Sequence, residues 1–279
     1  MSELYVSSVS PWAPGVITSE DWDLWKKNEK EITQAKESPK LEFTDPLFRR
    51  RLSQISKMTV QVVHDLIEKN PEAANYKQVF VSFRGEIERE FSINEGIIED
   101  TEIMPAGFSL SVFNTPIALA TLSLKLKSGY SVIYPSKENF ISALQGAVAP
   151  VLCGAEENII FIYADEYVPS EYGNLQPVPN EPLAFAAVIS SKQIENSVLL
   201  DDFPKTPKDF LRNSVKLKEV HIEAYPENPF TSSSSFMLLL RTSEKNATVS
   251  INNDRLIVKR NDHQNTYLMN ILLSKISEC

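Results

Sequence analysis

Residues 159–169 read IIFIYADEYVP, an apolar run that ends abruptly on two acidic residues. A short, continuous apolar run without alternation is typical of a strand that is buried on both faces of a sheet. Asp165 and Glu166 then stand at the carboxyl end of this strand, the edge at which open α/β sheets bind ligands. Two interpretations of the acidic pair stay open: a ligand site, or a polar strand end that meets solvent.

Strand and helix patterns alternate on both sides of this run. Short apolar segments predict further strands at residues 4–9, 79–83, 130–134 and 183–190. Helical spacing and capping signals predict a short helix carrying Trp22 and Trp25, and longer helices at residues 46–67, 86–99, 117–127 and 138–148. This alternation favours a layered α/β fold with a mostly parallel, covered sheet.

The last part of the chain is less regular and is rich in proline from about residue 170. Strands are predicted at residues 236–241, 248–251 and 255–259, the last two forming a hairpin, and a terminal helix at residues 264–276.

Composition excludes several classes of protein. The 279 residues carry a formal net charge of −9, so a nucleic-acid interface, which needs a basic face, is not expected. No apolar run approaches the roughly 18 residues of a membrane span. The two cysteines form no disulfide framework, which predicts a cytoplasmic protein.

Glycine is unusually scarce, and this bears on catalysis. Eight glycines occur in the whole chain, and none belongs to a phosphate-binding loop or a nucleophile elbow. Because such turns are built from glycine-rich backbone, a self-sufficient enzyme is less expected.

The titratable residues point to no metal and no cofactor. His64, His221 and His263 have no second ligand at a recognised spacing, and neither cysteine lies near a histidine in the sequence. Cys153 follows an apolar helix end, a setting typical of a buried free cysteine. Arg49, Arg50 and Arg51 indicate either a docking point for an acidic partner or an ordinary solvated helix face.

Five stretches occur in the order that characterises one family. They are SPWAPG at residues 10–15, PLFRRRLSQISKM at 46–58, VFVSFRG at 79–85, MPAGFSLSVFN at 104–114 and IIFIYADEYVP at 159–169. Together they resemble the ketoacyl-synthase-like family of N-terminal type, found as chain-length factors in aryl polyene biosynthesis. Phe113 departs from the pattern, since the family usually has histidine there.

The resemblance implies a thiolase-like layered α/β/α fold made of two similar halves, each with a five-stranded sheet. Residues 1–190 match the ketosynthase N-terminal half well, and residues 191–279 form a smaller, divergent part that completes the fold. Condensing enzymes of this fold need a nucleophilic cysteine at a helix start and two histidines in glycine-flanked motifs. The resemblance puts Ser136, or a neighbour within residues 135–138, at the nucleophile position, and His221 and His263 lie in other contexts.

The implied protein is therefore a non-catalytic subunit that pairs with a catalytic β-ketoacyl-ACP synthase and shapes the acyl tunnel. Its partners are that ketosynthase and an acyl carrier protein bearing the growing chain, which the three arginines would dock. The tunnel or interface residues implied by the resemblance, for which plain core packing is the alternative, are Phe108, Ser111, Phe113, Asn114, Thr115 and Ile117. Two other functions stay open: an active acyl-transferring enzyme with Ser136 or Cys153 as nucleophile, and a thiolase-fold protein with an unrelated binding role.

Overall fold

The computed structural model describes most of the first 214 residues. The described ranges are residues 4–99, 105–135, 139–168, 181–194, 197–200 and 203–214, with the backbone of three strands between residues 247 and 272. Within these ranges, no helix has the length and apolarity that a membrane span needs.

A mixed six-stranded sheet forms the centre of this region. Its strands are β1 (Tyr5–Trp12), β2 (Lys77–Val81), β3 (Tyr130–Ile133), β4 (Asn158–Asp165), β5 (Leu183–Ser190) and β6 (Val198–Leu199). They lie in the order β3-β2-β4-β5-β1-β6. The central strands β4 and β5 are buried almost throughout, as their continuous apolar sequences predict.

The expectation of a mostly parallel sheet is wrong, because three of the five strand pairings described in this sheet are antiparallel. Strand β2 pairs in parallel with β3 and β4, whereas β5 runs antiparallel to both β4 and β1. Parallel neighbours need a long crossover, usually a helix. Helical segments separate β2 from β3 and β3 from β4, but the connection from β4 to β5 carries a proline-rich sequence, and the chain returns antiparallel.

Eight α-helices and one short 3₁₀ helix (Pro71–Asn75) are described, and most of the α-helices lie where the sequence predicts them. They are α1 (Ser19–Lys26), α2 (Pro46–Arg49), α3 (Gln54–Lys69), α4 (Ile87–Glu99), α5 (Pro105–Ser109), α6 (Thr115–Ser123), α7 (Phe140–Leu152) and α8 (Pro207–Ser214). The single helix expected over residues 46–67 is wrong, because the chain forms α2 and α3 instead. Ser53 has an extended backbone and its hydroxyl accepts the Ser56 amide, so it starts a new helix.

The two faces of the sheet carry different cores. Helices α3 and α6 cover one face, where Ile55, Met58 and Ile117 pack with Phe80 of β2 and with aliphatic residues of β4 and β5. Helices α1, α7 and α8 cover the other face, which is rich in aromatic rings. There Phe210 of α8 stacks on Phe185 of β5, with 5.1 Å between ring centroids and an angle of 12°.

A separate antiparallel sheet lies near the end of the chain. It contains β7 (Ala247–Asn252), β8 (Arg255–Asp262) and β9 (Asn265–Leu272), and the predicted β7–β8 hairpin is confirmed. The predicted terminal helix is wrong, since β9 pairs along its whole length with β8. Tyr267, Met269 and Ile271 alternate with period two, and this strand pattern outweighs the weaker helical one.

Within the described ranges, one sheet has six strands and the other three, whereas the resemblance implies two halves of five strands each. The sixth strand is the two-residue β6, which pairs with β1 at its outer edge. The strand expected at residues 236–241 lies outside the described residues.

Replacing Phe210 with alanine should detach α8 from the aromatic face. Phe210 is fully buried and contacts three rings, those of Phe140, Phe161 and Phe185, so the free energy of unfolding should fall by about 3–5 kcal/mol. Phe43→Ala is the matched control, because Phe43 is 41% exposed and its loss should cost far less. Urea titration of both variants measures the difference, and equal losses would contradict the packing described for α8.

Candidate functional site

The parallel strands β2, β3 and β4 end at the same edge of the sheet. The turn at residues 82–86 follows β2, Tyr134 follows β3, and Glu166 follows β4. Ligands of open α/β sheets bind beyond the carboxyl ends of parallel strands. This edge is therefore the candidate functional site.

Asp165 holds the turn that follows β2. Its Oδ1 accepts hydrogen bonds from Ser82 Oγ at 2.7 Å, from Phe83 N at 3.0 Å and from Arg84 N at 3.2 Å. The Tyr163 hydroxyl donates to Oδ2 at 2.6 Å. Burial raises the pKa of Asp165, against the opposing effects of these hydrogen bonds and of the Arg84 charge. Asp165 thus fixes the shape of the turn.

Glu166 joins the first turns of two helices. Its Oε2 accepts the Ile55 amide of α3 at 3.1 Å, and its Oε1 accepts the Glu88 amide of α4 at 3.0 Å. Such amides lack partners within their own helices, and the positive end of each helix dipole favours a carboxylate. The side chain of Glu166 therefore fixes α3 against α4.

Glu86, also fully buried, strengthens the same junction. Its Oε1 accepts from Ser53 Oγ at 2.8 Å and Ser56 Oγ at 2.6 Å, and its Oε2 accepts from Arg89 Nε at 3.1 Å. Burial, and then the charge of Glu86, raise the pKa of Glu166 to about 8, although its two backbone hydrogen bonds lower it. We call Asp165, Glu166 and Glu86 the carboxylate clamp.

The clamp answers the question left open for the acidic pair. Asp165 and Glu166 do not meet solvent, so that interpretation is wrong, and their oxygens accept hydrogen bonds from protein donors. Their role is to position the turn and the two helices around the edge of the sheet.

Two aromatic rings lie beside the clamped turn. Gly85 has a φ of +62°, and a Cβ added there would lie 2.9 Å from Phe113 Cε1. The Phe113 ring also contacts Tyr134, with 4.3 Å between ring centroids. Tyr134 is 59% exposed, so this aromatic pair forms an accessible wall at the candidate site.

The other proposed tunnel residues divide between surface and core. Phe108 is 59% exposed, and its carbonyl accepts a hydrogen bond from Ser111 Oγ at 2.9 Å. Asn114 Nδ2 donates to the Tyr130 hydroxyl at 3.0 Å. Thr115 and Ile117 are buried, and Ile117 belongs to the core beneath α3.

Of the two nucleophile candidates, Ser136 lies outside the described residues. Cys153 caps the C-terminus of α7, and its thiol donates to the Pro150 carbonyl at 3.5 Å. The expectation that Cys153 is buried is wrong, because the helix ends there and leaves the side chain exposed. A helix C-terminus presents partial negative charge, the opposite of the N-terminus that activates catalytic cysteines.

The histidines and arginines occupy ordinary surroundings. His64 stacks on Phe43 at 3.6 Å, and His221 and His263 lie outside the described residues. Among the residues that the structure describes, no three His, Cys, Asp or Glu side chains converge as metal ligands would. Arg50 and Arg51 are exposed, whereas Arg49 donates to the carbonyls of Lys40 and Leu41.

A family model describes the same region of the chain. The model of the β-ketoacyl synthase N-terminal domain matches residues 22–254. The chain belongs to the β-ketoacyl synthase family. No curated protein matches the sequence.

Solved structures of ketosynthases share the fold. A chain of "Ketosynthase (ApeO) in Complex with its Chain Length Factor (ApeC) from Xenorhabdus doucetiae" matches with a TM-score of 0.61 and 19% identity over 92% of this chain and 94% of that one. The ishigamide ketosynthase/chain length factor matches with a TM-score of 0.53 and 10% identity, over 67% of this chain and 62% of that one. A chain of a type II PKS acyl-carrier protein in complex with its ketosynthase matches with a TM-score of 0.53 and 12% identity, over 68% of this chain and 63% of that one. The expected thiolase-like α/β fold is confirmed.

Sequence reasoning missed three residues of this site: Glu86, Gly85 and Tyr134. Glu86 directly precedes a helix, a position at which a capping residue is expected, although its reach to Ser53 and Ser56 is not local. Gly85 ends the VFVSFRG stretch, and a glycine after a buried strand is a signal for a left-handed turn. Tyr134 carries no comparable signal.

Replacing Glu166 with glutamine should flatten the dependence of stability on pH. The ordinary pKa is 4.5 and the folded value is about 8, so between them the folded protein holds a proton that the unfolded chain releases. The stability that this proton contributes is complete below pH 4.5 and is lost as pH rises through 8, by up to about 1.4 kcal/mol per pH unit. The Glu166→Gln variant lacks this loss.

Urea titrations at about pH 5.5 and about pH 8.5 measure the effect as the change in unfolding free energy between them. Glu157→Gln is the matched control, because Glu157 is exposed and paired with Lys192 at the surface. An unchanged pH dependence in the Glu166→Gln variant would contradict the assignment.

Proposed function

We propose that this protein is a chain-length-factor-like, non-catalytic subunit of a β-ketoacyl-ACP synthase complex in aryl polyene biosynthesis. The observation that carries the proposal is the match, over nearly the full length of both chains, to a chain from a ketosynthase–chain length factor complex. The resemblance supports it, since it implies a serine at the nucleophile position, and neither His221 nor His263 lies in a glycine-flanked motif.

The outer strand β3 supports pairing with a catalytic ketosynthase. Within the described region, β3 pairs with β2 alone and is an outer strand. Exposed outer strands are templates for pairing with another chain. Apolar residues beside this edge, Phe108, Val112 and Tyr134, are exposed and supply the apolar surface that a stable interface needs.

We place the wall of the acyl tunnel on the segment that connects α5 to α6. Phe108, Ser111 and Phe113 form its accessible side, and Asn114 holds this segment against Tyr130 of β3. Thr115 and Ile117 back the wall from within the core. Aromatic rings here would limit the length of an acyl chain entering from the partner.

The acyl carrier protein would approach the short helix α2. Arg50 and Arg51 directly follow this helix, and both are exposed, as is Leu47 within it. Basic residues beside an apolar one fit an acidic carrier protein.

The C-terminal part, residues 191–279, completes the fold in this proposal, as β6 and α8 already do.

An active acyl-transferring enzyme with Ser136 or Cys153 as nucleophile is the second candidate. The exposure of Cys153 favours it, because an exposed thiol is accessible to acyl carrier protein. The position of that thiol at a helix C-terminus weighs against it.

The two functions differ in which chain becomes acylated. Incubated with malonyl- and acyl-carrier protein, the chain alone should show no acyl adduct by intact mass. In the complex with its ketosynthase, Cys153→Ala should leave product formation unchanged, with the unsubstituted complex as control. A stoichiometric adduct on this chain alone, or loss of product from an intact Cys153→Ala complex, would overturn the non-catalytic role.

A further inference from the structure

The Phe113 ring fits against a turn that has room for it only because residue 85 is glycine. A Cβ at Gly85 would lie 2.9, 3.1 and 3.2 Å from three atoms of the ring. Atoms essentially never approach a real Cβ as closely as the first of these, so any side chain at this position must displace either the turn or the ring.

The turn is the part that cannot yield. The Gly85 amide donates to Ser82 Oγ at 2.8 Å, and that hydroxyl in turn donates to the buried Asp165. Two more amides of the same turn, those of Phe83 and Arg84, donate to Asp165. Moving the turn would break a buried hydrogen-bond network, which costs more than moving one ring.

The ring, in contrast, contacts a neighbour that can move with it. Phe113 meets Tyr134, with 4.3 Å between ring centroids, and Tyr134 is 59% exposed and belongs to the same accessible wall. A side chain at residue 85 therefore displaces the Phe113 ring away from the turn.

We propose that Gly85 is a specificity-determining position, which sets how far the Phe113 ring projects into the acyl tunnel; this rests on the tunnel proposed above. The carboxylate clamp fixes the turn, and the absence of a side chain at Gly85 lets the Phe113 ring pack against it. The position of this ring then limits the length of the acyl chain. Gly85 itself never touches substrate, so it acts by positioning Phe113.

Three variants of the assembled ketosynthase complex test the proposal, with the mass of the released polyene as the readout. Gly85→Ala should shorten the product by at least one extension unit, because the ring moves away from the turn. Phe113→Ala should lengthen it, and Gly85→Ala/Phe113→Ala should match Phe113→Ala alone. Gly154→Ala is the control, since Gly154 has a φ of +76° but nothing within 4 Å of an added Cβ, and its product should be unchanged.

A second readout separates positioning from simple loss of stability. Gly85→Ala should lower Tm more than Gly154→Ala, and the excess should disappear when Phe113 is alanine. If Phe113→Ala alters the product length and Gly85→Ala does not, the proposed role of Gly85 is overturned. If neither variant alters the product, the tunnel proposal itself fails, and the inference fails with it.

Discussion

The structure depends on one buried carboxyl group that bridges the first turns of two helices. Glu166 accepts one amide from α3 and one from α4, at the point where β4 ends. Burying a carboxylate is costly unless hydrogen bonds satisfy it, and helix N-termini are among the best donors available. Through Glu86 the same junction also engages Ser53 and Ser56, so the two helices and the turn between β2 and α4 form one unit. The carboxyl edge of the sheet takes its shape from this unit.

Local pattern predicted the elements of this fold well, and it failed where distant residues decide the outcome. The apolar run at residues 159–164 identified β4, and the segment at residues 183–190 identified β5, because buried strands have a distinctive composition. Composition does not reveal the direction of pairing, so the antiparallel β5 was missed. The partners of Glu166 lie 111 and 78 residues away along the chain, a separation that no periodicity records. The sequence therefore indicated an important acidic pair at a strand end without its burial or its role.

The chain belongs to the β-ketoacyl synthase family, and the residues at the carboxyl edge of its sheet can be interpreted on that basis. The parallel strands present a carboxyl edge of the kind at which open α/β sheets bind ligands, and the residues brought together there hold backbone and aromatic rings in position. The carboxyl oxygens of Asp165 and Glu86 accept hydrogen bonds from protein donors, and the exposed surface beside them is aromatic. Such a site is suited to shaping a space that a partner completes, which is what the proposed subunit does.

The central claim is that this chain works as one half of a heterodimer. Co-expression with the neighbouring genes, affinity purification through this chain and native mass spectrometry of the eluted assembly test it directly. The account predicts an assembly of one copy of this chain with one copy of a ketosynthase that carries the nucleophilic cysteine. Recovery of this chain alone, or only as an assembly of its own copies, would contradict it.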